Sequence, residues 1–326
     1  MLSVLVDLMG RYDLFQSGPL DRFTRGLCEG VLTESRRLSS SELAKLLQNI
    51  SRLKQWEVIL QVDARMGGSF DQVFRAAYAQ ADPHSRCVAV KAMCAERAFF
   101  VRYEDYAMGY LRQDIHLLSH EDLEGLLVAC LHLQNTAVVE ETLDAIGTRL
   151  MGVLDQCKRS TLVRLLQCHA SFAIADDALL TRVLAVLEGQ FVSRGEARLE
   201  SSQLLTLLQS IAQLDLPVPA RLATLCFAKL ERQIDKLSAY QLAQAGLLAM
   251  ELEMGYTPSI HTLVVRILET REGYRSSQFF REVSERLCDE YDVEVPAFLR
   301  TAKLRARRER ERLEEYWKRR RLLTKM

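Results

Sequence analysis

A leucine-rich pattern recurs along the chain. A leucine-like residue opens it, a polar and often serine-containing triplet follows, and Leu-x-x-Leu-Leu with further apolar residues completes it. Copies begin at Leu38, Leu118, Cys157, Leu199 and Leu237. The spacings are 39, 42 and 38 residues after one gap of 80. A degenerate copy around Asp82, carrying Cys87, Val90 and Cys94, fills that gap. A last copy fits at Tyr274, with Phe279 and Val283 in core register. Seven copies with a period of about 39 residues are therefore expected.

Within a copy, apolar residues recur at the spacing of one helical face: Leu43, Leu46, Leu47 and Ile50 in the first, Leu123, Leu126, Leu127 and Cys130 in the third. Ser39 with Glu42 and Ser238 with Gln241 read as capping boxes at helix starts, and Ser119 with Asp122 as a weaker one. A second helix follows in each copy, expected over 138–154, 177–191, 219–234 and 258–268. Pro219 and Pro258 stand near helix starts, where proline costs little. One hairpin of this kind cannot bury its apolar face, but stacked neighbours can. The fold predicted is all-α, an α-solenoid. Its expected organisation is an N-terminal helical cap over 1–37, the repeat array over 38–297 and a basic helical tail over 298–326.

Composition narrows this without changing it. The 326 residues include 48% apolar and 7% aromatic residues, with only 15 Gly and 6 Pro, which excludes a disordered or collagenous chain and disfavours an all-β one. No run of 18 or more apolar residues is present, so no membrane span is expected. Asp7 and Asp13 are poorly suited to an organellar transit peptide, and the short apolar run at the N-terminus is poorly suited to secretion. The eight cysteines form no C-x-x-C and have irregular spacings, so reduced thiols in a matrix-like or cytosol-like compartment are expected.

The period and the Leu-Ser-x-x-x-Leu-x-x-Leu-Leu first helix resemble the octotricopeptide and heptatricopeptide repeats of organellar RNA-associated proteins, including FAST-kinase-like and RAP-domain proteins. The resemblance covers roughly residues 38–290. It implies a role in organellar gene expression, in transcript processing, editing or stability or within a mitochondrial ribosome, and a mitochondrial matrix location, with the cytoplasm as the alternative. No RAP-like module follows the repeats. A tetratricopeptide array is excluded, because its Trp, Gly, Tyr and Pro positions are missing.

Charge is distributed unevenly. Lys and Arg total 43, as do Asp and Glu, yet residues 298–326 hold 12 basic and four acidic residues and are net +8. The preceding 297 residues are net −8. In the tail, Arg300, Lys303, Arg305, Arg307, Arg308, Arg310, Arg312, Lys318, Arg319, Arg320 and Arg321 are candidate phosphate partners. Tyr316 and Trp317, between the basic clusters, are candidates for base stacking or partner packing. A solvated charged helix and a membrane-surface or calmodulin-type helix are the competing readings. The acidic array is expected to engage mainly proteins.

Candidate chemistry is sparse. Cys87, Cys94, Cys130 and His169 fall at core positions of the repeat, where packing accounts for them. His116 and His120 have i,i+4 spacing but straddle a helix start, which argues against a zinc pair. Phosphate-cradle, dinucleotide, zincin and nucleophile-elbow motifs are absent, and Gly67-Gly68-Ser69 reads as an isolated turn. No catalytic residue, metal site, cofactor or small-molecule substrate is expected. The function expected is that of a non-catalytic helical-repeat subunit of a mitochondrial ribonucleoprotein, its solenoid docking on proteins and its tail on rRNA or mRNA. The alternative is a protein scaffold with no RNA contact.

Overall fold

The computed structural model describes residues 74–76, 78–94, 97–193, 199–214 and 220–294. The repeat at Leu38, the Ser39/Glu42 box, the segment 1–37, Gly67–Ser69, Pro219 and the whole of 298–326 lie outside them. Every regular element among the described residues is helical. In order these are α1 (Pro83–Met93), α2 (Arg97–Asp114), α3 (His120–Cys130), α4 (Thr136–Leu150), α5 (Arg159–Phe172), α6 (Asp177–Ser193), α7 (Ser201–Leu214), α8 (Ala220–Glu231), α9 (Ala239–Glu251), α10 (Pro258–Glu269), α11 (Arg271–Ser276) and α12 (Gln278–Glu290). The first helices of successive hairpins are α1, α3, α5, α7, α9 and α12. They start 37 to 42 residues apart, so the degenerate copies at Asp82 and Tyr274 are real.

Two compact units divide the chain, Met1–Leu199 with Gln213–Pro219 and Glu200–Ala212 with Ala220–Met326. In the first, α1 packs on α3 and α3 on α5, while α2 packs on α4 behind them. Each first helix also packs on its own second helix. In the second unit, α9 packs on α10 and α12, and α10 also packs on α8. Both are stacked hairpins, the arrangement of an α-solenoid. The core of the first unit consists of the predicted stripes: Leu123, Leu126, Leu127 and Cys130 of α3 are all 1% exposed or less, as are Leu162, Leu165 and Leu166 of α5. Each such leucine contributes about 2 kcal/mol by leaving water.

Local chemistry sets the boundaries. Asp82, Ser119, Ser238, Thr257 and Ser277 each cap a helix by accepting a backbone N–H. Both Ser119/Asp122 and Ser238/Gln241 are complete capping boxes. Pro83 and Pro258 occupy first helical positions, where the missing N–H is not needed. Three second helices pass into a 3₁₀ turn before the next repeat, at Ile115–Leu117, Leu154–Gln156 and Ile234–Lys236. In each, the repeat's opening residue (Leu118, Cys157 or Leu237) donates its N–H back to the turn.

First helices α5, α9 and α12 end alike. Ala173, Glu253 and Asp292 take left-handed φ values of 53°, 49° and 49°. The next N–H then reaches back five residues, from Ile174 to His169, Met254 to Ala249 and Val293 to Cys288.

Polar ties join consecutive hairpins. Buried Glu104 accepts from the N–H groups of Gln134 and Asn135 before α4. Glu124 accepts from Ser160 and Thr161 at the start of α5, and Glu231 from Ser259 and Thr262 at the start of α10. The Ser259 bond, then the Thr262 bond, holds the Glu231 carboxyl below its ordinary pKa.

One register differs from the sequence expectation. On α12 the core residues are Phe280, Val283, Ser284, Leu287 and Cys288, spaced i, i+3, i+4, i+7, i+8. Phe279, expected in the core, is half-buried on the surface. The Ser277 cap fixes where the helix starts and turns Phe279 one step away from the stripe.

Candidate functional site

Among the described residues, the thiols and one imidazole, His169, are placed for packing. Cys87, Cys94, Cys130, Cys157, Cys168, Cys226 and Cys288 are buried and free. Burial pushes the thiols of Cys94, Cys168 and Cys226 up to about 12. Cys168 donates to the Leu127 carbonyl at 3.1 Å, one first helix to the next. A thiol in this state is a small hydrophobe, not a nucleophile.

His169 is 2% exposed. Its Nδ1 donates to the Ile174 carbonyl at 3.0 Å, while Nε2 is buried without a partner. Burial holds the imidazole below its ordinary pKa, against the opposing pull of that carbonyl and of Asp176. His169 is therefore neutral at physiological pH. As pH falls below about 6.5, the unfolded chain gains a proton that folded His169 resists, so stability declines until the folded imidazole titrates as well. In urea unfolding from pH 8 to pH 5, H169L should lack this component. The stability difference between wild type and H169L should shift in the variant's favour as pH falls; a pH-independent difference would rule the mechanism out.

His116 sits in a 3₁₀ turn and His120 begins α3, with the Ser119 cap between them. No cluster of metal-ligating side chains is present among the described residues. No helix there is long and apolar enough to cross a membrane.

An aromatic–arginine cluster occupies the start of the first unit. Arg86 Nε donates to the Tyr78 carbonyl at 3.0 Å and Nη2 to the Ala79 carbonyl at 2.7 Å. Its Nη1 meets Asp114 at 2.5 Å, and the guanidinium lies 4.6 Å from the centre of the Tyr110 ring. Tyr78, Phe74 and Tyr103 are fully buried beside it. Three residues past the start of a first helix the other repeats carry Leu123, Leu162, Leu204 and Leu242. Arg86 holds that place in α1, with each of its three side-chain nitrogens hydrogen-bonded within the fold.

The second unit carries a different surface. Tyr240, on the first turn of α9, is 65% exposed. Its ring lies 5.6 Å from that of Phe279 on the first turn of α12, tilted by 39°. Each aromatic stands two residues after its capping serine, and each serine stands two residues after an exposed cation, Lys236 or Arg275. Neither cation forms an ion pair among the described residues, whereas nearby Asp235 is held by Arg266 at 3.1 Å. Glu282 accepts from the Gln278 amide at 2.7 Å. Sequence alone does not reveal this pair, because Tyr240 lies inside a repeat motif and Phe279 reads as a core residue. The available signal was the repeated base–x–Ser–x–aromatic spacing at 236–240 and 275–279.

The residues expected to contact RNA, Arg300, Lys303, Arg305, Arg307, Arg308, Arg310, Arg312, Tyr316, Trp317, Lys318, Arg319, Arg320 and Arg321, all lie outside the described residues.

Stacked helical hairpins with buried leucine stripes define a helical-repeat protein. The family profile described as the mitochondrial 3' processome subunit 2 C-terminal domain matches residues 1–321, and the chain belongs to that family. It is 43% identical over 309 residues to the mitochondrial 3' processome subunit 2 of Trypanosoma brucei brucei. That alignment covers 94% of this chain and 18% of the relative, so the chain spans about a fifth of the relative's length. The helical-repeat and mitochondrial expectations hold; the family is this one, and the octotricopeptide-type assignment is not what the match gives.

Proposed function

We propose that the chain is the helical-repeat docking portion of a mitochondrial 3' processome subunit. In this reading it is a non-catalytic part of a matrix RNA-processing assembly, with its hairpin stack packed against protein neighbours and its basic segment 298–326 on RNA. The family match over residues 1–321 carries the reading. Two features support it: the described thiols and His169 are buried in packing positions, and the +8 segment suits a polyanion. A scaffold without RNA contact is favoured by one observation, the net charge of −8 on the other 297 residues.

Deletion of 298–326 separates the two. The full chain should bind single-stranded RNA with affinity falling as salt rises, by about −0.7 in log–log slope per phosphate contacted. The truncated chain should lose most of that slope and keep its protein partners. RNA binding unchanged by the deletion would remove the role of the tail; absence of RNA binding in the full chain would leave the scaffold.

A further inference from the structure

We propose that Tyr240 and Phe279, with Lys236 and Arg275, form a stacking site for an unpaired nucleotide of single-stranded RNA. This rests on the RNA-associated reading above and adds a second, separate contact to it.

Tyr240 is the most exposed large apolar side chain among the described residues, at 65%. Its ring neighbour among the described residues, Phe279, comes from the next first helix, so the two repeats jointly present an aromatic surface. Folding alone gives no reason for this placement. At the same position the other repeats carry His84, Glu121, Ser160 and Ser202, none of them an apolar aromatic.

A partner for this surface needs a flat face and negative charge. The flat face follows from the exposed ring, since a base of any identity stacks on an aromatic side chain. The charge follows from Lys236 and Arg275, which stand four residues before the rings and form no ion pair among the described residues. Of the acids near the patch, Asp235 is engaged by Arg266, Glu282 by the Gln278 amide, and Glu272, three residues before Arg275, also has a partner. The amino ends of α9 and α12, each a 13-residue helix, add positive partial charge on the same side. Eight residues beyond the end of α12 the +8 segment begins, so RNA held at the patch would lie close along the chain to a second cationic stretch. A protein partner would use the rings but would leave the two cations without a counterpart unless it were acidic. A single strand uses both.

The test uses the full chain and a fluorescein-labelled oligouridylate of about 20 nucleotides, followed by anisotropy across a salt series. Tyr240 is too exposed for its loss to unfold the chain, and circular dichroism checks this. Y240A should weaken binding on the order of tenfold, and Y240F should restore it, because stacking needs the ring and not the hydroxyl. K236Q/R275Q should reduce the salt slope by roughly one.

Wild-type affinity in Y240A overturns the proposal. If deletion of 298–326 then abolishes binding, the tail reading stands and the patch alone falls. If Y240A weakens binding and the deletion does not, the patch stands and the tail reading falls. Loss of a co-purifying protein from Y240A with unchanged RNA affinity makes this face a protein contact and overturns the proposal as well.

Discussion

G246L should destabilise the second unit by about 3 kcal/mol, because the site has no room for a side chain. Seven residues past the start of a first helix, other repeats carry Val90, Leu127, Leu166 or Leu208, all buried. In α9 the same place is Gly246. A Cβ there would lie 2.7 Å from Leu287 Cδ1, 2.9 Å from Ile267 Cδ1 and 3.3 Å from Val283 Cγ1. The side chains of α10 and α12 thus occupy the space that a leucine fills elsewhere. All three obstacles are side-chain tips, so alanine can be partly accommodated. Its better helix propensity, about 1 kcal/mol, offsets part of the strain, and G246A should lie within about 1 kcal/mol of wild type. Denaturant unfolding measures the loss, and hydrogen exchange should locate it in α9, α10 and α12. A G246L midpoint equal to wild type would mean that the helices do not approach so closely.

The second large effect is expected at Arg86. Leucine fits the repeat at this position, yet R86L should cost about 3 kcal/mol, since removing one partner of a buried pair strands the other. The substitution leaves Asp114 and the Ala79 carbonyl without the Arg86 donor and takes one of two donors from the Tyr78 carbonyl. The Asp114 side chain is only 14% exposed, so water replaces little of what is lost. R86K keeps the charge but cannot span three acceptors at once, and should fall between the two. Adding D114L to R86L should restore part of the stability, giving a favourable coupling in a double-mutant cycle. Strict additivity of the two substitutions would show that the pair does not act as a unit.

These two sites also mark where the sequence stops being readable. The stripe Leu123, Leu126, Leu127, Cys130 announces a buried helix face by its spacing, and the boxes at Ser119 and Ser238 announce the starts. Such signals are local: every residue involved lies within one or two turns of the others. Arg86 carries no such signal, because its partner Asp114 is 28 residues away on the next helix. Gly246 reads as a weak spot in a helix until α10 and α12 are seen against it. The chain reversals at Ala173, Glu253 and Asp292 are hidden because no glycine marks the left-handed position. Phe279 and Phe280 are adjacent and chemically alike, so only the placement of the Ser277 cap decides which is buried. The Tyr240–Phe279 surface needs two repeats brought side by side, which periodicity implies but does not draw. The basic segment was plain from charge alone, and its residues lie beyond those the structure describes.

The buried thiols bear on how long the molecule survives in use. With a pKa near 12, Cys94, Cys168 and Cys226 are ionised in about one molecule in ten thousand at pH 8. In the unfolded chain the same groups return to about 8.5, and about a quarter of them become thiolate. One opening event therefore turns inert packing atoms into nucleophiles, roughly a thousandfold or more richer in thiolate. A disulfide or peroxide nearby can then react with the open chain. Because such oxidation is slow beside reclosing, lifetime in an oxidising milieu follows the population of the open form, and ties such as Arg86–Asp114, by holding that population down, act as antioxidants.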